Sequence, residues 1–318
     1  MAQKTTIVGI DIAKEKIDAA IRSVSVGASF ADTAEDRGNL LRWLRRHRVG
    51  TAVMEASGGY ESGWAKLLRA EGIEVRIVDP KRVRHFARSA GRLAKNDPID
   101  AAMIAWFAET FPDAVGRPHD PRREELDQLV SARTALTTLK AQIANYGEHD
   151  LPAEVRKIHR AIDKTLAAQL ARLEAVITAK IEQTAAFAER AAIIESVPGL
   201  GHASAAGLIA FLPELGLVSD QAAAALVGVA PYDDDSGKHR GRRFIKGGRR
   251  KLRNLLFMPI VGAATRCNPA LRQYYKRLIA KGKAAKVALI ACMRKLIIIL
   301  NTMIARGEKW DPSRHAPA

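Results

Sequence analysis

The chain has 318 residues, of which 47% are hydrophobic and 27% charged, and a formal net charge of +17. That length supports about two domains with buried cores, which excludes wholesale disorder. The cysteines, Cys267 and Cys292, are too few for a disulfide framework or a four-thiolate zinc site and point to a reducing, cytoplasmic setting.

The opening MAQKTTIVGID carries no apolar signal-peptide core. Residues 5–12 form an apolar, β-branched run in which Asp11 marks the end, as expected of a buried strand. Segments 16–24 and 28–33 read as the next strands, and 37–48 as an amphipathic helix with Leu40, Leu41 and Leu44 on one face. Residues 51–55 form a short apolar strand, with Ser57, Gly58 and Gly59 as the turn after it. A helix at 60–70 and a strand at 74–78 follow, stopped by Asp79 and Pro80. This order predicts an α/β layer around a mixed sheet.

Residues 122–190 change character, with almost no Gly or Pro. Ile158, Ile162, Leu166, Leu170, Leu173, Ile177 and Ile181 step by fours and threes, and Leu129, Leu136 and Ile143 step by seven. With NYGEHDLP at 145–152 as the turn, the pattern predicts two long helices, either a projecting coiled-coil hairpin or a packed core pair. Residues 193–310 read as a mostly helical unit, opening on a Pro-Gly turn at 197–201 before a small-residue helix at 203–212. The expected division is 1–121, 122–190 and 191–318. The most apolar stretch, 287–305, is interrupted by Arg294 and Lys295, so no membrane span is expected.

Charge is distributed unevenly. Residues 238–318 hold 21 of the 51 Lys and Arg but only Glu308 and Asp311 of the 34 acids, while 201–237 contain no Lys or Arg. A sign asymmetry of this size points to a polyanion, most often nucleic acid.

Four acids stand out. Asp11 and Glu55 each sit where an apolar strand emerges, and Asp97 and Asp100 lie in KNDPIDA at 95–101, with helical i, i+3 spacing. Grouped carboxylates repel one another unless cations bind between them, and hard ions such as Mg²⁺ or Mn²⁺ favour these oxygens. Asp97 also reads as a plain N-cap, with Pro98 and Asp100 in the first turn. An acid on strand one, an acid on a later strand and paired acids on a following helix form the pattern of a ribonuclease-H-like nuclease. Lys81, Arg82, Arg84, Arg88, Arg92 and Lys95 form a run with no acid between residues 80 and 96, which suits a phosphate backbone or a solvated helix face equally.

The second constellation is PYDDDSGKHRGRRFIKGGRRK at 231–251. Lys238, Arg240, Arg242, Arg243, Lys246, Arg249, Arg250 and Lys251 lie in it with no acid after Asp235, and glycines allow close approach of a ligand. Ser236 stands at the junction of the acids and the cations. A serine hydroxyl needs a base, metal or cationic surroundings to act as a nucleophile, and His239 is a candidate base. From composition alone Ser236 reads more readily as a turn serine, and the cations as a phosphate-positioning rather than a catalytic patch. The 197–201 turn, VPGLG, fits either an ordinary Pro-Gly turn or a helix-hairpin-helix, in which Gly199 and Gly201 offer backbone N–H groups to a phosphate.

Taken in order, GIDIAK at 9–14, Met54-Glu55 with Gly59-Tyr60, KNDPIDA at 95–101, VPGLG at 197–201, and Ser236-Gly237 with Ile245-Lys246-Gly247 resemble the DEDD-type insertion-sequence transposases, the IS one-ten family of bridge-RNA-guided recombinases. The resemblance runs from residue 6 to about residue 315; Ser57 stands where threonine is usual, and Asn96 where threonine is common. It implies a RuvC-like domain, a coiled-coil insertion and a helical C-terminal transposase domain. It further implies that Asp11, Glu55, Asp97 and Asp100 hold Mg²⁺ or Mn²⁺, and that Ser236 attacks a DNA phosphodiester to form a phosphoserine link. The implied partners are target and donor DNA, a non-coding bridge RNA, and further copies of the chain, a dimer assembling to a tetramer. The rival readings are a Holliday-junction resolvase-like metal nuclease and a non-catalytic nucleic-acid-binding protein.

Overall fold

A computed structural model describes residues 6–91, 97–112, 120–236, 239–241 and 243–314, with 97–99, 235, 236, 239 and 240 described through the backbone. The chain divides into two compact units, Met1–Pro118 and His119–Ala318.

In the first unit β1 (Thr6–Ile12), β2 (Lys16–Ile21) and β3 (Val26–Ala31) pair antiparallel. β4 (Val49–Glu55) lies parallel to β1, and β5 (Glu74–Val78) parallel to β4, giving a five-stranded mixed sheet of order β3-β2-β1-β4-β5. Parallel neighbours need a crossover, supplied by α1 (Ala34–Arg46) before β4 and α2 (Glu61–Ala70) before β5. Thr33 caps α1 by accepting from the Asp36 N–H at 3.2 Å. β2 is shorter than its apolar run suggests: Arg22–Val24 turn as a 3-10 helix and Ser25 takes φ 53°.

Helices cover both faces of the sheet, which explains strands that read as continuous apolar runs. Val8, Ile10, Ile12, Ala52 and Met54 pack with Leu40, Leu44, Trp64 and Leu68 of α1 and α2. On the opposite face Val53 and Val78 pack with Val83 and Ala87 of α3 (Pro80–Ser89) and with Met103, Ile104 and Phe107 of α4 (Asp97–Thr110). Gly9 is the contact point of α4. A Cβ there would lie 2.2 Å from the Ala101 carbonyl oxygen and 2.4 Å from the Ala105 nitrogen, so only glycine lets the helix backbone rest on β1.

The second unit opens with α5 (Pro121–Tyr146) and α6 (Ala153–Glu182), joined by a short turn. Ion pairs Glu125–Lys180, Arg133–Glu174 and Lys140–Asp163 fix their antiparallel register. Leu166, Ile177 and Ile181 of the predicted stripe are buried, whereas Ile158 and Ile162 near the turn are exposed. The helices α7 (Ala185–Glu195), α8 (His202–Phe211), α9 (Asp220–Val227), α10 (Arg250–Gly262), α11 (Pro269–Ala280) and α12 (Ala285–Arg306) follow. Leu126, Val130, Ile177 and Ile181 join the same core as these helices. α12 alone among the described helices is long and apolar enough to cross a membrane. Its Leu289, Cys292, Met293, Leu296, Ile297 and Leu300 are buried in that core.

Candidate active site

Strand alternation sets the first part of the site. Gly9 faces α4, so Asp11, two residues on, shares that face. Val53 packs with α4 and Glu55 follows it by two. The β1–β4 register pairs Gly9 with Val53 and Ile10 with Met54, which brings Asp11 and Glu55 to neighbouring strand ends. Asp100 lies in the first turn of α4, one residue before the Ala101 that touches Gly9. Asp11, Glu55 and Asp100 therefore lie along one edge of the same sheet face without closing into a cluster. Asp11 Oδ1 accepts from the Ile12 N–H at 3.1 Å. The backbone of Asp97 begins α4, while its side chain, together with Arg92 and Lys95, lies outside the described residues. Among the described residues no three acids, histidines or cysteines stand close enough to form a ready metal cage. The donor chemistry itself, carboxylate oxygens on a shared edge, fits a hard divalent cation.

Two neighbours of this edge carry no signal in the sequence. Asp18 is directly opposite Asp11 in the β1–β2 register and only 4% exposed. It accepts from Lys16 Nζ at 3.0 Å and from the Ser29 hydroxyl. Glu61 organises the turn after Glu55: its Oε2 accepts from the Ser57 N–H at 3.0 Å, the Ser57 hydroxyl at 2.7 Å and the Gly59 N–H at 2.9 Å. Burial opposes the Glu61 charge, but these hydrogen bonds outweigh it and hold the carboxyl below the usual glutamate range. Ser57 thus has a structural partner that its glycine-rich setting does not reveal.

Lys81, Arg82, Arg84 and Arg88 are exposed on α3, whose Val83 and Ala87 are buried. Asp79 caps this helix, accepting from the Lys81 N–H at 2.8 Å, and the Arg82 guanidinium sits over the Phe107 ring, 5.4 Å from its centroid.

The serine segment is a two-tier hairpin. β6 (Pro231–Tyr232) pairs with β9 (Phe244–Ile245), and inside them β7 (Asp235–Ser236) pairs with β8 (His239–Arg240). The inner register sets Ser236 directly opposite His239. The side chains of Ser236 and Arg240, and the residues Gly237, Lys238 and Arg242, lie outside the described set. Gly241 lets the strands approach, since a Cβ would lie 2.3 Å from the Asp234 carbonyl oxygen. Arg243 pairs with Asp233 at 2.5 Å. At the base Gly228 (φ +79°) and Gly248 (φ +68°) pack backbone to backbone, and Arg253 donates to the Gly228 carbonyl at 2.9 Å.

The cations of this segment divide. Lys246 and Arg250 are exposed. Arg249 turns inward to the Glu214 carboxylate, at 2.6 Å for one bond, and to the Phe211 carbonyl at 2.9 Å. Lys251 lies over the Phe211 ring at 4.3 Å and pairs with Asp127 at 3.6 Å. Arg249 thus holds the fold together, a role the sequence does not reveal because Glu214 is remote in the chain, while Lys251 makes its contacts from an exposed position.

The 197–201 turn links α7 to α8. Gly199 takes φ +97°, and a Cβ would lie 2.7 Å from that of Ala263 in the π-helical turn Ala263–Cys267. Gly201 is the N-cap of α8 with open space where a Cβ would go. His202 contacts Glu195 and Thr178, each at 2.9 Å.

An acid-lined sheet edge and a cationic serine hairpin coincide with two family profiles. One, described as a transposase, matches residues 8–149; the other, described as the transposase IS116/IS110/IS902 family, matches residues 191–276. The protein is a DNA transposase/recombinase. The pilin gene-inverting protein of Moraxella lacunata is 26% identical over 98% of this chain and 99% of its own length. The 43.6 kDa protein of insertion element IS110 from Streptomyces coelicolor is 32% identical over 89% of this chain and 70% of its own length. The chain belongs to the IS110 transposase family.

Proposed function

We propose that the protein cuts and rejoins DNA through a covalent link to Ser236, with Asp11, Glu55, Asp97 and Asp100 as the carboxylates that hold Mg²⁺ or Mn²⁺. What supports the metal half is the strand register and helix position that put Asp11, Glu55 and Asp100 along the same edge of one sheet face. A divalent cation bound there would offset the clustered charge and polarise a phosphodiester. In the serine half the Ser236 oxygen bonds to phosphorus, the bond to the departing sugar oxygen breaks, and that oxygen leaves protonated. His239, its cross-strand neighbour, accepts the hydroxyl proton as the serine attacks and passes it to the departing sugar oxygen. Attack by the hydroxyl of an exchanged strand reverses these steps and frees the serine. No external oxidant or energy source is needed, because one phosphodiester replaces another.

On this reading residues 1–121 bear the acids, 122–190 form a coiled-coil contact between copies, and 191–318 bear the serine. A bridge RNA pairs with target and donor DNA, so sequence choice resides in base pairing, and a dimer assembling to a tetramer brings the parts together in the cytoplasm. A relative named for inverting a pilin gene supports rearrangement rather than degradation of DNA. The test is strand exchange with purified protein, DNA and the RNA encoded beside the gene. Ser236→Ala and Asp11→Asn should each abolish exchange while DNA binding persists. Exchange retained by Ser236→Ala removes the serine mechanism, and full activity of Asp11→Asn or in chelator removes the metal site.

A further inference from the structure

We propose that α11 and the turn into α12 form a second binding surface for the phosphate backbone of double-stranded DNA, separate from the serine hairpin and the α3 face. Arg272, Lys276, Arg277, Lys281, Lys283 and Lys286 are all exposed there. Residues 236–307 contain no Asp or Glu, so no acid of these helices can answer them. The contrast with α5 and α6 is informative: there Arg133, Lys140 and Lys180 each meet a carboxylate of the facing helix. Arg272 and Lys276 on α11, and Arg277 with the C-cap residue Lys281, stand at i, i+4, a spacing at which like charges repel and weaken a helix. A surface that retains such repulsion without an acid of its own fits an external polyanion.

The scaffold holds this surface firmly. Ala270 and Leu271 bury the opposite side of α11, and Asn268 caps it, accepting from the Leu271 N–H at 3.1 Å. The helix closes through Gly282 (φ +74°), with Gly282 N–H donating to the Ile279 carbonyl at 2.9 Å and Lys283 N–H to the Leu278 carbonyl at 3.1 Å. From Arg272 to Lys281 the helix rises about 14 Å, enough to meet several phosphates of a duplex.

A duplex suits the surface better than a single strand. Single-strand sites stack bases on exposed aromatic rings, but Tyr274 and Tyr275 are half-buried, and the Tyr274 ring is already faced by Arg277 at 5.4 Å and Lys295 at 4.9 Å. The remaining groups are point charges, which position a backbone without reading bases. The inference relies on the established DNA activity only for the identity of the polyanion, not on the serine or metal chemistry.

The experiment measures binding of the full chain to a double-stranded DNA of arbitrary sequence, in chelator, across a salt series. The triple substitution Lys281→Gln, Lys283→Gln, Lys286→Gln lies on exposed positions, and an unchanged melting curve confirms that it folds. The slope of log affinity against log salt should fall by about 0.9 for each phosphate that the variant no longer neutralises. Ser236→Ala, and Lys164→Gln on the exposed side of α6, should leave it unchanged. An unaltered slope in the triple variant overturns the proposal, as does an equal drop in Lys164→Gln. A drop confined to an RNA duplex of the same length overturns the assignment to DNA.

Discussion

Gly9 shows how one missing side chain positions a site. Its hydrogen is all that separates β1 from the backbone of α4, so Gly9→Ala should displace the helix that carries Asp97 and Asp100. Overpacking of a buried position typically costs about 1–3 kcal/mol, and this contact is with backbone, which yields least. Thermal melting should therefore show a destabilisation near the upper end of that range, together with loss of activity; a wild-type melting curve would contradict the packing. Asp18 makes a related point. In sequence it is one polar residue in Lys-Ile-Asp, yet it is buried because α4 folds back over β2 from far along the chain. Asp18→Ala removes the acceptor used by the Lys16 ammonium and the exposed Ser29 hydroxyl, and should cost about 0.5–1.5 kcal/mol by denaturant unfolding, more than Asp18→Asn, which keeps one. Equal costs would show that the hydrogen bonds do not matter.

Glu61 supplies the pH dependence at this scale. Its folded carboxyl is held below the ordinary value, so its contribution is present above the unfolded glutamate value of about 4.3 and is lost as pH falls through the lower, folded value. NMR titration should show Ser57→Ala moving the Glu61 carboxyl upward, towards that ordinary range. An unmoved value would mean that Ser57 does not stabilise the charge.

At the scale of elements, what is legible in the sequence follows from local pattern. Strand 74–78 is β5 to the residue, because Gly72 precedes it and Asp79-Pro80 ends it. Asp11 and Glu55 are visible because each closes an apolar run. The helix expected over 37–48 begins earlier, at Ala34, since its start is set by the Thr33 cap rather than by its leucines. Long-range partners are not legible: nothing near Arg249 in sequence indicates that it serves Glu214, and the hairpin pairing of Ser236 with His239 depends on a turn whose flanks are polar and short. The base of that hairpin is testable. Gly248→Ala would set a Cβ 2.2 Å from the Gly228 nitrogen in a left-handed conformation, so strand exchange should collapse while DNA affinity falls little; undiminished exchange would show that the hairpin tolerates displacement.

Across the whole molecule, charge is the organising property. The excess of cations lies beyond residue 237. Arg249 and Arg253 are engaged in internal contacts, Lys251 makes such contacts yet stays exposed, and Lys246, Arg250 and the α11 cations are exposed as well. Composition indicates a polyanion partner; only the fold separates cations that build the protein from those available to bind. The four candidate acids are the counterpart, carried on the first unit by β1, β4 and α4.

The most direct measurement is identification of the atom that holds cleaved DNA. The protein is mixed with DNA and the proposed guide RNA in Mg²⁺, quenched in denaturant, digested, and the peptide carrying nucleotide is sequenced by mass spectrometry. The account predicts a phosphodiester on Ser236, absent in Asp11→Asn. Cleaved DNA with no nucleotide on the protein, or with the nucleotide on another residue, would contradict it.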